Sequence, residues 1–160
     1  MGRRIYEAGF DNVTVGSAVQ DIFSLLTSSA KGAQIHWAHL SAAGVTSPAQ
    51  VRLRIKRGTA TVTQGSGGSA PTPGLVDPGD TLAATGILHC NDTVQATTSG
   101  NFTGSVKYDQ WNVLLPWDYM PGPEDEDRDS LGVSQAWILD LPAVITATVV
   151  SGFLRWREYP

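Results

Sequence analysis

Val51-Arg52-Leu53-Arg54-Ile55-Lys56-Arg57 is the stretch that decides the fold class. Side chains of a strand alternate between its two faces. Val51, Leu53 and Ile55 then point one way, and Arg52, Arg54 and Lys56 the other. One face reads as core and the opposite face as solvent or partner.

The same reading extends outward from this strand. Residues 34–41 alternate, with Ile35, Trp37 and His39 on one face and His36, Ala38 and Leu40 on the other. Residues 4–10 read as a strand, turned by Asp11-Asn12, with 13–15 as a second extended piece. Val19, Ile22, Phe23 and Leu26 fall at helical spacing. That segment is short, however, and ends in the turn cluster Ser28-Ser29-Ala30-Lys31-Gly32, so a strand is expected over 19–26. Residues 87–97, 105–115, 135–141 and 147–159 supply further runs rich in Val, Ile, Thr and aromatics. About eight short strands with no βαβ alternation and no internal repeat predict an all-β, antiparallel β-sandwich. A jelly roll is the expected topology, with an up-and-down barrel as the alternative.

The chain of 160 residues suits one domain, 1–160, able to bury a core without disulfides or metal. Two segments interrupt it. Gly65-Ser66-Gly67-Gly68-Ser69-Ala70-Pro71-Thr72-Pro73-Gly74 reads as an extended arm over 64–74, floppy at its glycines and extended at its prolines. Residues 116–130 read as a long loop with Trp117 and Tyr119 ahead of the acidic run Glu124-Asp125-Glu126-Asp127-Arg128-Asp129.

Charged residues make up only 16%, below the usual quarter, which suits a surface that meets other proteins. The net charge of −4 argues against nucleic acid as a partner. No stretch approaches a membrane span, so no membrane partner is expected. Met1 to Glu7 lead into no apolar signal core, and Tyr6 stands where a myristoylation motif wants Ser or Thr. Synthesis in the cytoplasm follows as the expectation.

No residue pattern names a chemistry. Cys90 stands alone and reads as a buried, inert thiol. His36 and His39 are three apart, which on a strand puts them on opposite faces and argues against a shared metal. The acidic run lacks the glycine and distal Glu of a calcium loop, and Gly65 to Gly68 lack the ending of a phosphate loop. No serine sits in a nucleophile elbow. Neither a cofactor nor a metal is expected, nor enzymatic activity.

What remains are candidate contacts. Arg52, Arg54, Lys56 and Arg57 offer charge opposite to Glu124 and Asp125, in this chain or an adjacent copy. Gly67, Pro71 and Pro73 mark the arm. Among the aromatics, Trp37, Trp111, Trp137 and Trp156 are assigned to core, and Trp117, Tyr119 and Tyr159 to rim or interface.

Taken in order, several phrases form a pattern. They are Gln20-Asp21-Ile22-Phe23-Ser24-Leu25, Leu53-Arg54-Ile55-Lys56-Arg57-Gly58 and the arm at 65–73. Then come Trp111-Asn112-Val113, Tyr119-Met120-Pro121-Gly122-Pro123-Glu124, Leu139-Asp140-Leu141-Pro142 and Ser151-Gly152-Phe153-Leu154. From about residue 5 to 157 the chain resembles a family of small tailed-bacteriophage and prophage proteins, some of them virion components. The family's acidic ending is replaced here by Arg155-Trp156-Arg157-Glu158-Tyr159. The resemblance implies a capsid decoration, or cement, protein on the outside of the major capsid protein lattice, often a homotrimer. The arm, taken over 59–76, and the 116–130 loop are then the expected contacts, and deleting 64–74 is expected to weaken binding without harming the fold. The alternatives are a tail, baseplate or receptor-binding component, and a carbohydrate-binding module.

Overall fold

The computed structural model describes residues 4–58, 61–77, 79–98, 107–122 and 129–160. Its strands are β1 (Ile5–Val15), β2 (Gln20–Leu26), β3 (Gly32–Ala43), β4 (Gln50–Gly58), β5 (Val62–Thr63), β6 (Gly74–Leu75), β7 (Ile87–Asp92), β8 (Thr97–Thr98), β9 (Lys107–Asn112), β10 (Trp117–Tyr119), β11 (Ser130–Leu131), β12 (Ala136–Leu141) and β13 (Thr148–Tyr159). The described residues contain no helix, so none is long and apolar enough to cross a membrane. All strand pairs are antiparallel, and two sheets pack face to face as a sandwich. The first sheet has the order β10-β3-β13-β1-β6, with β11 also on β3. The second has the order β7-β2-β12-β4-β9. Strands β1 to β4 switch sheets at every step, as do β9, β10, β12 and β13.

Alternation builds the core between the sheets. Val51, Leu53 and Ile55 of β4, with Trp137, Leu139 and Leu141 of neighbouring β12, share one core with Ile35, Ala38 and Leu40 of β3 and Leu154 and Trp156 of β13 from the opposite sheet. Burying each large aliphatic contributes about 1.5–3 kcal/mol. Three bulges interrupt the alternation, each adding one residue to one strand. The first lies between Phe10 and Val13, where Asn12 takes a φ of 53°. Asn tolerates this left-handed conformation, so the expected turn at Asp11-Asn12 is a bulge inside one continuous strand. The second puts Ile22 into β2, between the partners of Leu139 and Asp140. Ile22 and Phe23 consequently both enter the core, which accounts for the helical spacing of a segment that is a strand. The third inserts His36 into β3 opposite β13.

A third layer was not expected. β5 pairs with β8 outside the second sheet, where Val62 and Ala96 pack on Ala136 and Ile138. The central strand β12 is therefore buried on both faces. The far face of β4, expected to meet solvent or a partner, is partly covered by the chain itself.

The arm expectation is corrected as well. Residues 65–69 are lashed to the edge at β7, with Ser66 and Val94 exchanging backbone hydrogen bonds at 3.1 and 3.0 Å, and Ser69 and Cys90 at 2.9 and 2.7 Å. Gly65 and Gly68 permit this approach, since a Cβ on either would stand 2.1 Å from a backbone oxygen, of Val94 and Cys90 respectively. Beyond them, Gly74 and Leu75 pair with Glu7 and Tyr6 on the edge of β1. The segment covers exposed ladder groups of its own sheets and is not an excursion from the domain.

Candidate functional site

The bulge at His36 sets which side chains face outward from the first sheet. It leaves Ile35 and Ala38 in the core and turns Trp37 and His39 to the outer face, alongside Phe153 and Arg155. Two rungs cross the sheet. Glu7, Arg155 and Trp37 are in register, and so are Gly9, Phe153, His39 and Asp118.

These side chains hold one another in place. Trp37 meets Phe153 edge-on with centroids 4.7 Å apart, and His39 stacks on Phe153 at 5.2 Å. The Arg155 guanidinium lies 5.2 Å from the Trp37 ring and donates to Glu7 Oε2 at 2.9 and 2.6 Å. Trp37 Nε1 donates to Asp118 Oδ1 at 2.7 Å, and His39 Nδ1 lies 2.8 Å from the same oxygen. The His39 contact above all, with that of Trp37, holds the Asp118 carboxyl below the usual range against a smaller upward pull from burial. No hydroxyl or thiol among the described residues hydrogen-bonds His39. The arrangement offers stacking faces and paired charges. All six of Glu7, Trp37, His39, Asp118, Phe153 and Arg155 stay at least partly open to solvent.

The residues expected to form contacts are mostly engaged inside the chain. Arg54 Nε donates to Asp140 Oδ1 at 3.0 Å. Lys56 Nζ lies 2.9 Å from Asp140 Oδ2 and 3.6 Å from Asp21 Oδ1. Burial pushes the Asp21 carboxyl up, outweighing the Ala96 N–H that it accepts. Arg57 pairs with Asp129. Only Arg52 keeps an exposed position, its guanidinium 4.1 Å from the Tyr108 ring centroid. The basic strand does find acidic partners, but in Asp21, Asp129 and Asp140. Glu124 and Asp125 lie outside the described residues.

Asp129, last of the acidic run, is buried where the two sheets meet. It accepts from Tyr119 Oη at 2.6 Å, Trp137 Nε1 at 3.0 Å and Lys107 Nζ at 3.3 Å, besides Arg57. Trp117 and Tyr119, expected at the rim, are drawn inward by β10 pairing with β3. Trp117 is 5% exposed and gives its Nε1 hydrogen to Asp109 at 2.8 Å. Tyr159 is half-buried and donates to the Leu131 carbonyl at 2.7 Å, beside a cleft of about 270 Å³ that Arg4, Lys31 and Arg157 also line. Gly67 is exposed on the docked arm, and Pro71 and Pro73 are half-buried. Trp111, Trp137 and Trp156 are core as expected, but Trp37 is not. Counting alternation without the bulge put Trp37 on the face of Ile35. The outward period of Phe153, Arg155 and Arg157 was the available signal for this face.

Among the described residues no group of three His, Cys, Asp or Glu could hold a metal ion. No family model, curated protein or solved structure matches the chain.

Proposed function

We propose that this chain is a structural virion protein, a capsid decoration protein that binds the major capsid protein lattice through the outer face of its first sheet. One observation carries the reading. β5 and β8 cover the second sheet's outer face over β12 and leave Arg52 and Tyr108 exposed toward β9, whereas the first sheet's outer face carries Trp37, His39, Phe153 and Arg155 interlocked, half-open and already ordered. Preordered aromatic and arginine side chains lose little entropy on binding and match the composition of interface hot spots. A sandwich whose edges at β7 and β1 are covered by its own chain suits repeated attachment to a shell, where many copies and trimerisation add avidity. The strand succession supports a jelly-roll winding, with β10-β3-β13-β1 facing β2-β12-β4-β9. The arm no longer enters as a contact, since it is docked on β7 and β1.

Cryo-electron microscopy of particles tests the proposal. Many copies on the head, with Trp37 and Arg155 against the capsid, are expected. Trp37→Ala and Arg155→Ala should each abolish attachment without loss of fold. A few copies at the tail would replace decoration by the tail or receptor-binding reading, and absence from particles would end both. The second reading, carbohydrate binding, draws on the partly open Trp37 ring flanked by Asp118 and Arg155. Glycan binding by the free chain, lost in Trp37→Ala, would favour it.

A further inference from the structure

Beneath the β5–β8 layer, three neighbouring strands of the second sheet each contribute one ionisable side chain to a single buried spot. Asp21 comes from β2, Asp140 from β12 and Lys56 from β4. Their exposures are 1%, 0% and 5%. Lys56 Nζ lies 2.9 Å from Asp140 Oδ2 and 3.6 Å from Asp21 Oδ1. We propose that Lys56 and Asp21 condense into an intramolecular amide, Nζ to Cγ, that ties β4 to β2 across β12.

The residues divide the chemistry among themselves. Asp140 is fixed by Arg54 Nε at 3.0 Å and by Gln95 Nε2 at 3.0 Å, and is placed to take a proton from the lysine ammonium. Burial pushes the Asp21 carboxyl up, toward the neutral acid that an amine can attack. Its Oδ2 already accepts the Ala96 N–H at 2.7 Å, a donor held ready for the oxyanion of a tetrahedral intermediate. Reacting atoms need to approach to about 3–3.5 Å, and Lys56 Nζ already stands 3.6 Å from Oδ1 of the Asp21 carboxyl.

The step balances without any other reactant. Asp140 takes one proton from the ammonium, and the nitrogen lone pair forms the C–N bond at Asp21 Cγ. Asp140 hands that proton to the departing hydroxyl, the C–O bond breaks and one water leaves. Asp140 then accepts the second nitrogen proton and releases it to solvent. Nothing is oxidised or reduced. The layer formed by Val62 and Ala96 shields the site from the water that would reverse the reaction.

The proposal does not depend on the function proposed above. The intact mass of the purified wild-type chain tests it, with no variant required. A mass one water below that of the sequence is expected, with a digest yielding a peptide bearing Lys56 joined to one bearing Asp21. Lys56→Arg, which keeps the cation, and Asp140→Asn, which keeps the shape, should each restore the missing water. A wild-type chain of full sequence mass would show a plain ion cluster and overturn the proposal. A link from Lys56 to Asp140 instead of Asp21 would overturn the assignment of roles.

Discussion

Replacing Asp129 by alanine should loosen the junction between the two sheets. Its carboxylate gathers Tyr119, Trp137, Arg57 and Lys107, which arrive from β10, β12, β4 and β9. Trp137 is fully buried and loses its hydrogen-bond acceptor, which costs about 1–3 kcal/mol. The Arg57 and Lys107 side chains are 24% and 44% exposed, so they partly rehydrate. The ion-pair loss then falls below the roughly 3–5 kcal/mol of a fully buried pair. A total of about 2–4 kcal/mol is expected, a large share of the roughly 5–15 kcal/mol that holds a domain folded. At an m-value of about 2 kcal/mol/M the urea midpoint should fall by about 1–2 M, with m unchanged. Burial pulls the Asp129 carboxyl up, but hydrogen bonds from Tyr119 and Trp137 and the charges of Arg57 and Lys107 outweigh it, and the net shift is downward. Its contribution is therefore present above about pH 4, the unfolded value, and is lost as pH falls through the lower folded value. The alanine variant should show a flatter acid limb in the same titration. A midpoint within about 0.2 M of wild type would refute this account of the junction.

Other outcomes follow from the same contacts. Gly68→Ala places a methyl 2.1 Å from the Cys90 carbonyl oxygen, so the arm should lift. Limited proteolysis should then cut within 64–74, at a stability cost of about 1–3 kcal/mol, whereas equal protease resistance would show that the arm tolerates the methyl. Deleting 64–74 should for the same reason destabilise the fold by uncovering two sheet edges, which denaturant melts can read. Burial first, and the Asp92 charge second, push the Cys90 thiol up to about 12. Iodoacetamide at pH 8 should leave the folded chain unlabelled and alkylate it fully in urea, and rapid native labelling would contradict the buried assignment. Trp37→Ala should lower stability by less than about 1.5 kcal/mol, because its ring stands on a sheet face and not in the core.

The legible parts of this fold were those written at period two. The alternation in 51–57 gave β4 its core face, and the outward and inward residues of 147–159 gave β13 its length. The short segment 19–26 was read as a strand against its spacing, and the bulge at Ile22 explains the spacing. Bulges themselves were not legible. One extra residue at His36 costs nothing in local composition, yet it moved Trp37 from the core to the surface. The site shared that fate, because which face is bare depends on what lies over the other one.

The sequence alone determined that this chain is a β-sandwich, because strand periodicity and turn residues are local properties of consecutive positions. Only the tertiary structure decided where its charges and open faces lie. Arg54 meets Asp140 across 86 residues, and Arg57 meets Asp129 across 72. No local pattern ties such pairs together, since their proximity comes from sheet pairing and from a short β-ladder folded over one sheet. Arg54, Lys56 and Arg57, which read as a surface stripe on an isolated strand, thus became the partners of the buried carboxylates of Asp21, Asp129 and Asp140.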